Sequence, residues 1–320
     1  MATAQIRART AGRAERPAGT SHARPAAAYR PHVLLVLNLN ASGLRRSRAV
    51  AERARALLQG FGAQVESRWT TSADELTTFL SEEERRVVLV GGDGTLHAVA
   101  NMPGPKPEVA LLPRGRANNI AHALGIPRDL RLAARLAVQG ISHPIDAIAV
   151  DSPQARMTAL EGVSVGFHAQ ARARYRGVNS ADTVAGISAA AGAFAHFEPV
   201  SVALEMDGEV SIRRLGQLFV VNFPFFGPRL PVAVGADPGD GVLEVVELDA
   251  GRRSTLAVEL ARLRRGTHLA HNGARIRSAH RVRIAASGDV PVVADTTVLR
   301  GGPVELAVQP SFLHVVGPGR

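Results

Sequence analysis

The chain has no cysteine, which excludes a disulfide framework and any thiolate-ligated metal site and fits a reducing compartment. It has one tryptophan and two tyrosines, and aromatics make up 4% of its residues. No aromatic platform is interleaved with the basic residues, so stacking recognition of nucleic acid is not expected. Lysine is almost missing as well: Lys106 stands alone, and arginine carries the positive side of a net charge of +10. A cationic surface of this kind attracts anionic headgroups and nucleotides. No apolar run approaches the roughly 18 residues that span a bilayer, and the first residues lack the apolar core of a signal peptide. The expected location is the cytoplasm, with peripheral contact at the inner membrane surface left open.

What is there is an ordinary globular balance, 46% hydrophobic and 21% charged over 320 residues, enough for two domains with sizeable cores. Residues 1–30 mix Ala, Arg, Gly and Pro without an apolar period and are expected to be a disordered cationic tail, either solvated or tethered to anionic membrane. The organising stretch begins at Val87. Val87-Val88-Leu89-Val90 reads as a buried parallel strand, and Leu96, Val99 and Ala100 recur at helical spacing. Between them lie Gly91, Gly92, Asp93, Gly94 and Thr95. Glycine permits φ > 0 and leaves the backbone amides open to a phosphate, and Thr95 is expected to cap the following helix. A carboxylate at Asp93 in a turn built for anions makes sense with a Mg²⁺ between it and the phosphate. A plain tight turn is the competing reading.

Strands at Val33–Leu37, Val65–Trp69, Val87–Val90 and Val109–Leu112 alternate with helices near Arg46–Gly60 and Ala73–Glu83. This is the pattern of a doubly wound α/β nucleotide-binding domain over residues 31–149, whose ligands sit at the strands' carboxyl ends. Asn38, Thr70, Asp93 and Gly115 all fall at such ends, which points to one shared cleft; Trp69 is read as a core residue. Ala133, Leu136 and Ala137 mark a further helix. Beyond residue 149 short runs separated by turns (Met157–Val165, Val200–Met206, Leu215–Asn222, Val242–Leu248, Val282–Ala286, Val304–Val308) imply a β-rich antiparallel sheet or sandwich domain over residues 150–320. Two helices interrupt it, near Ala169–Arg176 and Ala181–His196. The aromatic cluster from Phe223 to Phe226 is either the wall of an acyl pocket or a loop under the sheet.

Gly91-Gly92-Asp93-Gly94-Thr95 resembles the nucleotide-binding signature of the diacylglycerol kinase and sphingosine kinase-like lipid kinases, a superfamily that includes NAD kinases. Leu112-Pro113-Arg114-Gly115-Arg116-Ala117-Asn118-Asn119-Ile120-Ala121 is similar to its second motif, Leu-Pro-x-Gly-Thr-x-Asn-Asp-x-Ala. The resemblance runs from about Pro31 to Pro318. It implies ATP and Mg²⁺ as cofactors, and a nucleotide held by Asn38, Thr70, Gly91, Gly92, Asp93, Gly94, Thr95, Gly115, Arg116 and Asn118. It also implies a structural or activating Mg²⁺ in the loop Asp237-Pro238-Gly239-Asp240-Gly241, with Asp240 as carboxylate ligand helped by the carbonyls of Asp237 and Val242. The expected partners are nucleotide and a lipid substrate at the membrane surface; a homo-oligomer stays open.

The sequence departs from this pattern where the chemistry is concentrated. The family's proton-accepting Glu in a late Asp-Gly-Glu corresponds to Thr297 in Asp295-Thr296-Thr297, and threonine is no base at neutral pH. Asp93 and Asp295 remain as the candidate catalytic carboxylates. Arg116 replaces the second motif's threonine and Asn119 its aspartate; Ala98 replaces a common acidic residue, and Leu39 a proline of the first turn. Met206-Asp207-Gly208-Glu209 spells the same letters but is read as a hairpin turn. Two readings follow, an ATP-dependent lipid kinase and a catalytically impaired kinase-like protein that binds nucleotide or lipid.

Overall fold

The computed structural model describes residues 31–38, 48–175, 183–249 and 251–319. The expected tail, the turn after Asn38 and the start of the second helical interruption lie outside them. In the first half, β1 (His32–Asn38), β2 (Gln64–Thr70), β3 (Arg86–Gly91) and β4 (Val109–Pro113) pair in parallel in the order β2-β1-β3-β4. Successive side chains of a strand point to opposite faces, so strands buried on both sides must be apolar throughout. Leu34, Val36, Val87 and Leu89 meet Leu76 and Leu80 of α2 (Ala73–Leu80) and Leu96 and Val99 of α3 (Asp93–Asn101). Val33, Leu35, Leu37, Val88 and Val90 meet Leu58 of α1 (Arg48–Gly60) and Ala133 and Ala137 of α5 (Leu130–Gln139). The short α4 (Asn119–Ala123) follows β4. The edge strand β2 lies outside this double cover, and Trp69 is 39% exposed there rather than in the core.

The long β5 (Ile141–Asp151) leads into the second half. The expected Met157–Val165 run is two strands, β6 (Arg156–Ala159) and β7 (Gly162–Gly166), broken at Leu160-Glu161. There follow α6 (Phe167–Arg174), α7 (Thr183–Ala195) and the hairpin of β8 (Val200–Met206) and β9 (Glu209–Leu215). Asp207 and Gly208 turn this hairpin with φ of 48° and 91°, the left-handed pair that matches strand twist in a two-residue connection. After β10 (Gln217–Val221) come the two-residue strands β11 (Phe225–Phe226) and β12 (Leu230–Pro231), then β13 (Leu243–Leu248), α8 (Arg253–Arg265) and β14 (Ala274–Ala279). The chain ends with β15 (Arg281–Ala286), β16 (Val292–Ala294), β17 (Thr297–Leu299) and β18 (Val304–Gly317).

Two sheets organise these strands. A six-stranded sheet runs β14-β13-β10-β7-β16-β17, and a ten-stranded one continues from β4 through β18, β15 and β8 to β9, with β5 alongside β18 and β6 on the far side of β5. Val163, Val165, Leu218 and Val220 of the first interdigitate with Val202, Leu204, Val282, Ile284 and Leu306 of the second. The second half is therefore an antiparallel β sandwich, as expected, but its last strand is longer than the sequence suggests. Pro310 cannot donate to a ladder and reads as a strand end; here it sits in a register shift between Gln309 and Leu313 where Ser311 takes φ of 52°. Beyond the bulge, Val315 and Val316 pair in parallel with Val109 and Ala110 of β4. The C-terminal strand thus carries the sandwich into the parallel sheet of the first half.

Candidate active site

The two glycine turns press against each other at the carboxyl ends of β3 and β4. A Cβ on Gly92 would lie 2.7 Å from the Gly115 Cα, and one on Gly91 2.4 Å from the Thr95 Oγ1. None of Gly91, Gly92 and Gly94 adopts the expected positive φ. What the turn requires of Gly91 and Gly92 is the missing side chain: at Gly92 two backbones meet at van der Waals distance, and at Gly91 the Thr95 side chain fills the space. The carbonyl of Gly91 accepts from the Arg114 and Gly115 N–H groups at 2.7 and 3.2 Å. The left-handed residue is Asn118, with φ of 49°, and its side-chain amide donates to the Gly115 carbonyl.

Asp93 fastens the second turn to the first. Its two carboxylate oxygens accept from the backbone N–H groups of Asn119 (3.0 Å) and Ile120 (3.2 Å), at the start of α4. Thr95 does not cap α3 as expected. Gly92 is the capping residue, with no side-chain bond, and the Thr95 hydroxyl accepts from the Asn38 side-chain amide at 3.1 Å. That bond ties the end of β1 to the first turn of α3.

These residues open onto a cavity of about 420 Å³ lined by Asn38, Gly92, Asp93, Gly94, Thr95, Gly115, Arg116 and Asp295 among the expected residues. Gly91 and Asn118 lie beneath it as supports. Thr70 is outside: it ends the edge strand β2, and its buried hydroxyl donates to the Ser72 carbonyl at 2.6 Å. Also outside is the loop Asp237–Gly241, where Asp237 Oδ1 accepts from the Gly239 N–H and Asp240 Oδ1 from the Val242 N–H. That loop closes on the buried Asp146, whose oxygens accept from the Gly241 and Ser311 N–H groups at 2.7 and 2.8 Å. Among the described residues no group of three or more His, Asp or Glu is arranged to hold a metal.

Asp295, the second expected catalytic carboxylate, is an anchor. It sits at φ of 49° in the turn between β16 and β17, and its oxygens accept from the Leu160, Glu161 and Gly162 N–H groups at 2.8 to 3.0 Å. Thr297 is exposed and does not line the cavity.

The cavity also brings in residues that periodicity did not flag: His97, Glu161, His168 and Arg172. Glu161 Oε2 accepts from the Asn119 side-chain amide at 2.7 Å, and Oε1 lies 3.5 Å from His97 Nε2; that nitrogen is 3.3 Å from Asp295 Oδ2. Burial, and then the charges of Asp93 and Asp295, push the Glu161 carboxyl well above the usual carboxylate range. Burial, with the Arg172 charge added, holds the His168 imidazole down at about 4, with Ser164 Oγ 2.9 Å from its Nδ1. Arg172 donates to the Thr296 carbonyl and so ties α6 to the turn that carries Asp295. The aromatic cluster proves to be a tucked loop, since Phe223 and Phe226 are fully buried and the Phe226 ring packs on His168 and Phe219. The one sequence signal for Glu161 is a lone acid between two apolar runs.

Residues 32–150 match the family model of the diacylglycerol kinase catalytic domain, and residues 161–317 that of the YegS C-terminal NAD kinase beta sandwich-like domain. A Klebsiella pneumoniae (strain 342) protein called "Probable lipid kinase YegS-like" is 30% identical over 165 residues, 43% of this chain and 54% of that one. The diacylglycerol kinase of Bacillus subtilis (strain 168) is 36% identical over 93 residues, 27% and 31% of the two chains. The chain thus spans about half the length of the first relative it matches, and about a third of the second. Among solved structures, a diacylglycerol kinase from Bacillus anthracis str. Sterne shares the fold with a TM-score of 0.66 at 17% identity, over 89% of this chain and 96% of that one. An NAD kinase from Archaeoglobus fulgidus in complex with ATP shares it with a TM-score of 0.50 at 14% identity, over 90% and 93%. Carrying both domains in this order around one cavity, the chain belongs to the diacylglycerol kinase and YegS-like lipid kinase family.

Proposed function

We propose that the chain is an ATP-dependent lipid kinase that phosphorylates the hydroxyl of diacylglycerol or a related lipid. The observation that carries this reading is the meeting of Gly92 and Gly115 beside the first turn of α3. The first N–H groups of a helix have no intrahelical partner and, with the helix dipole, form an anion site. A Cβ at Gly94 would meet nothing within 4 Å, so this turn is open to the cavity. Arg116 and Arg172 line the same cavity, and guanidinium groups bind phosphate oxygens by charge-assisted hydrogen bonds. The residues present therefore suit a triphosphate. Mg²⁺ would neutralise phosphate charge; the described residues offer it no ready cage, so it enters in this reading as part of the nucleotide complex.

Support for an apolar acceptor comes from α7, which has no charged residue and leaves Val184 and Ile187 exposed one turn apart, next to α6 on the cavity wall. Among the described residues no helix is long and apolar enough to cross a membrane, so such a lipid would be met at a surface. The test is transfer from labelled ATP with Mg²⁺ to diacylglycerol in mixed micelles. Asp93→Ala is expected to lower the rate by about 100-fold or more, because the second turn loses the two bonds by which Asp93 ties it to the first. Transfer unaffected by this change would remove the mechanism.

The exposed position of Thr297 favours the second reading, a kinase-shaped protein that binds nucleotide or lipid with little transfer. ATP binding measured by calorimetry without labelled product would select it, and a gain of turnover in Thr297→Glu would then mark an impaired enzyme.

A further inference from the structure

The lipid kinase reading needs a group that takes the proton of the attacking hydroxyl, and position 297 gives none. The cavity floor holds another carboxylate. Glu161 stands between β6 and β7; it is 5% exposed and lines the cavity. Burying a carboxyl among apolar neighbours is unfavourable unless it is fully bonded. Glu161 keeps one oxygen on the Asn119 amide and turns the other toward His97. Neither nitrogen of the buried His97 ring has a hydrogen-bond partner of good geometry. Glu161 also accepts a backbone hydrogen bond from Gly227, so the unspent bonding capacity lies on the His97 imidazole beside it, a poor structural element and a serviceable proton carrier.

Asp295 is differently placed, for its three amide bonds commit it to holding the 160–162 backbone. It therefore positions Glu161 and leaves the reacting proton to another group. The groups facing Glu161 are Asp93 and His97 from α3, Asp295 from the β16–β17 turn, His168 and Arg172 from α6, and Arg116 from the loop before α4. Burial, and then the charges of Asp93 and Asp295, push the carboxyl well above the usual carboxylate range, so it holds a proton more readily than an exposed glutamate.

Resting on the lipid kinase reading, we propose that Glu161 accepts the proton of the acceptor hydroxyl, with His97 as the positioning residue that carries it onward. The alcohol oxygen bonds to the γ-phosphorus, and the bond from that phosphorus to the β–γ bridging oxygen breaks, its electron pair leaving with ADP. The hydroxyl proton passes to Glu161 Oε1, and from there by His97 to solvent.

The test uses the full chain with ATP, Mg²⁺ and diacylglycerol micelles. Glu161→Gln keeps the shape and the Asn119 contact, and is expected to lower kcat about 100-fold or more while the KM for ATP changes less than about threefold. His97→Gln is expected to lower kcat about 10-fold and to displace the rising limb of the kcat–pH profile, a readout that a purely structural role would leave in place. Parent-like kcat in Glu161→Gln overturns the proposal. Should Glu161→Gln melt below the assay temperature, His97→Gln decides alone, and an unmoved pH limb overturns it. A parent that gives no labelled product fails the kinase reading itself, and the proton acceptor falls with it.

Discussion

Asp93 stands in a glycine turn that suggests a metal ligand, yet its oxygens hold the Asn119 and Ile120 amides. Its contribution is to keep two turns in register. Asp93→Asn presents an amide nitrogen to one of these donors and is expected to cost about 1–3 kcal/mol, read as a lower melting temperature. Glu161 and His168 make opposite contributions to pH dependence. Below the ordinary carboxyl value of 4.5, Glu161 is protonated in both folded and unfolded chains; as pH rises the unfolded chain releases that proton first, so stability declines up to the raised native value. Melting curves between pH 4 and 9 should show Glu161→Gln gaining on the parent as pH rises. The imidazole of His168 stays neutral in the fold down to about 4, while the unfolded chain protonates it from about 6.5, so its stability contribution is lost as pH falls across that window. A His168→Gln variant should lose less stability than the parent on going from pH 7 to pH 4. Asp93 was legible because glycines bracket it. Glu161, His97 and Asp295 were not legible as a group, since residues so distant in sequence meet only when β7, α3 and the β16–β17 turn are assembled.

At the scale of elements, the glycine turn was legible as a site but not in its geometry. The expectation of left-handed glycines fails, and close backbone approach takes its place. This gives a contrast between neighbours. Gly92→Ala drives a Cβ into the Gly115 backbone, which has no flexible end to move; it is expected to destabilise by about 1–3 kcal/mol and abolish nucleotide binding. Gly94→Ala meets open space, so it should keep the parent melting temperature and weaken ATP binding alone, both measured by thermal shift and calorimetry. Parallel strands β1, β3 and β4 were read correctly because burial on both faces leaves only apolar residues. By contrast, β9, β14 and α8 were missed. Each carries two or more arginines, and sheet pairing and a few contacts such as Leu256 and Leu263 decide its structure.

The whole molecule depends on its last strand. β18 lies between β4 and β15, pairs with β5 through most of its length, and connects the sandwich to the sheet that carries the glycine turns. A chain ended at Pro303 loses this central strand and should show no cooperative melting by circular dichroism, whereas removal of a mere appendage would leave the transition in place. The sequence hinted only at Val304–Val308, because Pro310 reads as a stop unless the bulge that accommodates it is known. The central claim is that one cavity, floored by two touching glycine backbones, brings a triphosphate to a lipid hydroxyl. Its most direct measurement is the appearance of label in lipid when purified full chain is incubated with γ-labelled ATP, Mg²⁺ and diacylglycerol micelles, parent beside Asp93→Ala. Labelled lipid from the parent, reduced about 100-fold or more in the variant, is the result this account predicts; no labelled lipid from the parent, or equal amounts from both, would contradict it.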